Sequence, residues 1–168
     1  MKYWTGCDYF MSDNYFTSDF LIYNILKNCD DEIIQNCNLK FIDRSVPASE
    51  DNTIYIANVD LELLDEMFDS STHRALVNLY VKTKDTGYVR SSRFLRTVIK
   101  HIKHVLRNDD ECKSRNIVFR NVSYEYGSKY TLKGMHLLIQ LMEHESYDLD
   151  DEFECVNIED DEMEIDVR

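Results

Sequence analysis

Glycine and proline are almost missing from this chain. Of 168 residues, four are glycine (Gly6, Gly87, Gly127, Gly134) and one is proline, Pro47. Four scattered glycines can write neither a GxGxxG turn nor a GxxxxGK(S/T) loop, so the usual backbone cradles for nucleotide phosphates are excluded. A single proline leaves no proline-rich linker. No apolar run approaches the roughly 18 residues that a membrane helix needs. The opening MKYWTGCDYFMSDNYF has one early lysine and no apolar stretch, so it does not read as a secretory signal. The five cysteines (Cys7, Cys29, Cys37, Cys112, Cys155) are odd in number and widely spaced, with no CxxC pair. The expectation is a cytoplasmic or nuclear protein whose cysteines are free thiols. The Asn121-Val122-Ser123 sequon then has no meaning, because glycosylation needs the secretory route.

What is present is enough for a core. Hydrophobic residues make up 43% and aromatics 12%, and the length suits one domain. The 19 Lys and Arg against 32 Asp and Glu give a net charge of −13, so a polyanion or lipid surface is not expected as a global partner. The charge is segregated. Residues 1–80 hold 5 basic and 14 acidic side chains, residues 81–140 hold 13 and 5, and residues 141–168 hold 1 and 13. This asymmetry is more informative than the total. The abundance of Asn, Asp, Ile, Tyr and Lys resembles the bias of proteins from AT-rich genomes, including large DNA viruses, and makes a viral factor that engages a host protein a reasonable origin.

Periodicity gives a coarse element order. Leu21, Ile25, Cys29 and Ile33 predict a helix from Ser18 to Cys37 capped by Thr17 or Ser18. Asn38–Asp43 and Thr53–Val59 read as short strands, with Asp60 capping a short acidic helix over 61–68. Ala75–Lys82 is the best strand. Ser91–Leu106 is the clearest helix, with Phe94, Leu95, Val98, Ile99, Ile102, Val105 and Leu106 in one stripe and Ser91 or Ser92 as the cap. Asn116–Tyr126 reads as a strand. Tyr130–His144 reads as a last helix, with Leu132, Met135, Leu138 and Met142 in line. The expected fold is therefore a single compact α+β domain over residues 1–146, with a short mixed or antiparallel sheet and about three main helices. Residues 147–168 form an acidic C-terminal tail.

The strongest constellation is a basic stripe. Arg93, Arg96, Lys100, Lys103 and Arg107 are three or four residues apart and share the helix face opposite the apolar one. Such a stripe could follow phosphates, remain a solvated face, or lie against the acidic tail, a contact that salt would weaken. Other chemistry is thinly supported. Asp43 and Asp60 fall at expected strand ends, where two-metal phosphoryl-transfer sites are built, with Glu62, Asp65 and Glu66 nearby. Asp is also a common cap and strand-exit residue. His101 and His104 could reach one ion but lack further ligands. There is no GxSxG elbow, and nothing marks one Cys–His pair over another. No catalytic residue, metal site or cofactor is assigned.

Two stretches suggest protein contacts. Residues 60–69, DLELLDEMFD, mix acids with Leu, Met and Phe at helical spacing and could enter a groove or pack on the protein's own core. In the tail, Val156-Asn157-Ile158 precedes Glu159-Asp160-Asp161-Glu162, which resembles a SUMO-interacting motif that adds a strand to a sheet edge. The leading expectation is a non-enzymatic interaction or regulatory protein with a protein partner. Its anchors would be drawn from Tyr3, Trp4, Phe10, Arg93, Arg96, Lys100, Lys103, Arg107, Val156 and Ile158. The alternatives are nucleic-acid association through the basic helix 90–107, gated by the tail, and a metal-dependent phosphodiesterase or nuclease.

Overall fold

The computed structural model describes residues 17–42, 52–84 and 86–146, with the side chains of 57 and 58 left aside. Two helices open the described chain, α1 (Ser18–Asn28) and α2 (Glu32–Gln35). Then come β1 (Asn38–Phe41), β2 (Thr53–Glu66) and β3 (Ser70–Lys82). The long helix α3 (Tyr88–Asn108) and short α4 (Asp110–Ser114) lead to β4 (Val118–Tyr126) and β5 (Leu132–Ser146). The strands form one five-stranded sheet in the order β1-β2-β3-β5-β4. β1 runs parallel to β2, and every other neighbouring pair is antiparallel. The fold is thus α+β with a mixed sheet, as composition and element order suggest.

The helices lie on one face of the sheet. Strand side chains alternate between faces, so Ile54, Ile56, Val77, Leu79, Val81, Leu137, Ile139 and Leu141 point to the same side and are all buried. They meet Leu95, Val98, Ile99, Ile102 and Leu106 of α3, and Leu21, Ile22 and Leu26 of α1, in one core. The apolar stripe of α3 is the one its heptad-like spacing predicts. The opposite sheet face carries Asn78, His136, Leu138 and Gln140, half-buried and, among the described residues, without a helix over them, as an antiparallel sheet permits.

Three sequence expectations are corrected. The first helix is broken in two, because Asp31 caps α2 by accepting from the Ile34 amide (3.1 Å). Residues 61–68 do not form a helix. Residues 61–66 continue β2, registered against β3 from Leu61 opposite Ala75 to Glu66 opposite Ser71, and Met67 and Phe68 lie in the turn to β3. Residues 132–144 are not helical either, and Tyr130 only ends a single 3-10 turn (Ser128–Tyr130). Residues 132–144 belong to β5, paired with β3 on one side and β4 on the other. Leu, Met, Glu and Gln favour helices in isolation, but such propensities are worth less than 1 kcal/mol each. A central strand satisfies its whole backbone ladder while burying one face. Among the described residues the longest helices are α1 and α3, and β2, β3 and β5 are long strands.

The caps also differ. The Ser18 amide at the start of α1 donates to Glu143 Oε2 of β5 (2.9 Å), so the cap comes from across the fold. Gly87 sits before α3 with φ 107°, a left-handed value that favours glycine. Ser91 Oγ ties the preceding loop by accepting from the Thr86 amide (3.2 Å) and donating to the Lys84 carbonyl (3.3 Å).

Candidate functional site: a basic groove between α3 and β4

The five cations of the stripe all lie on α3, and four of them meet β4. Arg96, Lys100, Lys103 and Arg107 line an open groove of about 580 Å³ whose floor includes Ile99, Val122, Tyr124 and Met135. A second, shallower depression of about 420 Å³ continues past Tyr88, Val89 and Arg93, and shares Arg96 and Lys100 with the first. The predicted row is therefore one continuous surface. It arises because the apolar stripe of α3 is pinned to the sheet, which turns the other side chains outward along the β4 edge.

β4 supplies an aromatic platform that the sequence reading did not single out. Arg96 sits 5.4 Å from the centre of the Tyr124 ring. Arg107 and Lys103 sit 5.2 and 5.8 Å from that of Phe119. These distances allow cation–π attraction. The Tyr124 hydroxyl accepts from Arg96 Nε and shares a 2.6 Å hydrogen bond with Ser92 Oγ. Ser92, expected as a helix cap, is thus a groove residue. Partial burial acts to raise the Tyr124 phenol, but the bonds from Arg96 and Ser92 outweigh it and hold the phenol below its ordinary value. With Nε engaged, Arg96 still has its two terminal nitrogens, which can meet a carboxylate or phosphate end-on. The signal for this platform was available as Phe119, Val122 and Tyr124 in one strand, but only the sheet order places that strand beside α3.

The charge on this face is uncompensated among the described residues. Ion pairs among the described residues include Arg74–Glu62, His101–Asp31, Lys113–Asp110, Arg115–Glu111 and His136–Glu125. None involves Arg93, Arg96, Lys100, Lys103 or Arg107. Like charges three and four residues apart on a helix repel, so the row costs stability unless an anion meets it.

The other candidates do not converge. His101 Nδ1 lies 2.7 Å from Asp31 Oδ2, whereas His104 lines the groove beside Asn108. Asp60 is not at a strand end, because β2 runs on past it, and Asp43 lies outside the described residues. Among the described residues no group of three or more His, Cys, Asp and Glu side chains is arranged to hold a metal ion. Cys29, Cys37 and Cys112 are free thiols. Burial, aided by Asp31, pushes the Cys37 thiol up to about 11, and burial with Asp109 pushes Cys112 up to about 12. Both are poor nucleophiles at neutral pH. Tyr3, Trp4, Phe10, Val156 and Ile158 lie outside the described residues. No described helix is long and apolar enough to cross a membrane.

Neither a protein-family model nor a curated protein sequence matches this chain.

Proposed function

We propose that this is a non-catalytic interaction protein that binds an acidic polypeptide segment in the α3–β4 groove. The observation that carries the reading is the row of five cations without carboxylate partners among the described residues, three of them over the Phe119 and Tyr124 rings. A groove with cations along one wall and Ile99, Val122, Tyr124 and Met135 at its floor suits an extended segment with acidic residues and an occasional aromatic or aliphatic side chain. The overall charge of −13 opposes long-range approach of a nucleic acid, whereas a short acidic segment needs only the local field. The chain's own residues 147–168, with 11 acidic side chains, would compete for the same groove and make binding sensitive to salt.

The test is fluorescence anisotropy of the full chain with a labelled Glu- and Phe-containing peptide and with a single-stranded oligonucleotide. The peptide should bind, and Lys100→Glu with Lys103→Glu should weaken it at least tenfold, about 1.4 kcal/mol. Tighter binding of the oligonucleotide with a steep salt slope would replace the polypeptide with a nucleic acid. Binding of neither would leave the stripe a solvated face.

A further inference from the structure

The far edge of the same sheet carries the opposite chemistry. β1 pairs with β2 only from Thr53 to Ile56. Beyond it, among the described residues, no strand lies along the outer edge of β2. Register shifts occur between Ile56 and Val59 and between Leu63 and Asp65. Val59–Leu63 is therefore a regular five-residue stretch between two bulges, with half of its backbone donors and acceptors directed outward. Proteins usually blunt such edges with lysine, proline or a covering element. Residues 59–69 contain no lysine, arginine or proline.

Apolar side chains accompany this edge. Leu61 and Leu63 are 56% and 52% exposed, Met67 is 61% exposed, and Phe68 at the turn into β3 is fully exposed. Leu61 and Leu63 stand opposite Ala75 and His73, so they share one sheet face. Both are exposed and lie outside the buried core. Isolated exposed leucines are ordinary, but several within eight residues form a patch. The same stretch carries five acids: Asp60, Glu62, Asp65, Glu66 and Asp69. Of these, Glu62 pairs with Arg74 (2.8 Å).

We propose that Val59–Leu63 of β2 accepts a basic, extended peptide as an additional strand. Strand addition satisfies the outward backbone groups, and alternate apolar side chains of the peptide would cover Leu61 and Leu63. The sign of the charge selects the partner. A second copy would bring the same acids opposite one another, and the tail of this chain, with 11 acidic residues in 147–168, would be repelled. A peptide alternating Lys or Arg with Val or Ile meets the acids with opposite charge. This surface is independent of the α3–β4 groove, which lies at the other side of the sheet.

The probe is a fluorescein-labelled nine-residue peptide of alternating lysine and valine, titrated into the full chain by anisotropy. Hydrogen exchange is followed on the same complex. Binding should slow exchange in Val59–Leu63. Affinity should fall at least tenfold for a peptide N-methylated at alternate residues, which keeps the charge but cannot pair as a strand. It should fall similarly for Leu61→Lys with Leu63→Lys, whose exposed positions leave the fold intact by circular dichroism. Equal binding of the N-methylated peptide, protection elsewhere, or no binding would overturn the proposal. So would a concentration-dependent oligomer of the full chain that the lysine variants abolish, since a second copy would then be the occupant.

Discussion

Asp31 shows how much one side chain can organise here. Its Oδ1 caps α2 at the Ile34 amide, and its Oδ2 faces His101 of α3. Burial acts to raise its carboxyl, but the hydrogen bond with His101 and those from the backbone outweigh this and hold it below the ordinary 3.8. The folded state thus prefers the carboxylate. Its contribution is complete above about pH 4, the unfolded value, and is lost as pH falls through the depressed folded value. Asp31→Asn should lower the thermal midpoint at pH 7 and flatten the acid limb of a stability–pH curve. An unchanged acid limb would assign acid sensitivity to other carboxylates. Gly134 makes a second residue-scale case. A Cβ there would lie 2.5 Å from the Tyr80 ring, which is held against His136 with ring centres 4.6 Å apart. Burial and a hydrogen bond to Glu125 raise the Tyr80 phenol, keeping it neutral. Gly134→Ala should cost about 1–3 kcal/mol through overpacking, read by urea denaturation. The thiols belong to this scale too. Cys37 and Cys112 should alkylate with iodoacetamide far more slowly at pH 7.5 than a free cysteine, and mass mapping of the modified sites would check this.

At the scale of elements, the two segments that read as helices but form strands are the instructive ones. In residues 132–142 the inner positions Met135, Leu137, Ile139 and Leu141 alternate with Gly134, His136, Leu138, Gln140 and Met142. Because both faces contain apolar residues, a period of two and a period of 3.6 fit the same letters. Strand pairing decides, since β5 has a neighbour on each side. Leu137→Ala, at the centre of β5 and fully buried, should cost about 2–5 kcal/mol. An exposed-site cost below 1 kcal/mol would contradict the assigned strand face. Residues 61–66 follow the same logic with less burial: the β3 ladder holds them extended, and their leucines stay in solvent. α3 differs, because its stripe and its opposite charged face agree on one period. Its cations work against it, so Lys100→Gln with Lys103→Gln should raise the thermal midpoint at low salt, with the gain shrinking as salt screens the repulsion.

Across the whole molecule the charges are sorted by place as well as by sequence. The basic residues of α3 lie along the β4 side of the sheet, and the acids of β2 lie towards the other. A protein arranged this way can engage an acidic and a basic partner on separate surfaces. With a net charge of −13 at neutral pH, repulsion between copies opposes aggregation. That protection fades as the solution approaches the isoelectric point near 4.7. Light scattering across pH should show a solubility minimum in that region.

The sequence by itself determined the α+β class, the charge segregation, the long amphipathic α3 with its row of Arg93, Arg96, Lys100, Lys103 and Arg107, and the strands near 38–41, 53–59, 75–82 and 118–126. Each rests on a local period or a local count, which needs no partner to be read. Only the tertiary structure decided that β5 is a strand, that β2 runs on to Glu66, that Glu143 caps α1, and that Phe119 and Tyr124 stand beneath the basic row. Those outcomes depend on which backbone groups find partners across tens of residues. Local propensities worth tenths of a kcal/mol per residue yield to a ladder that leaves no central strand unpaired.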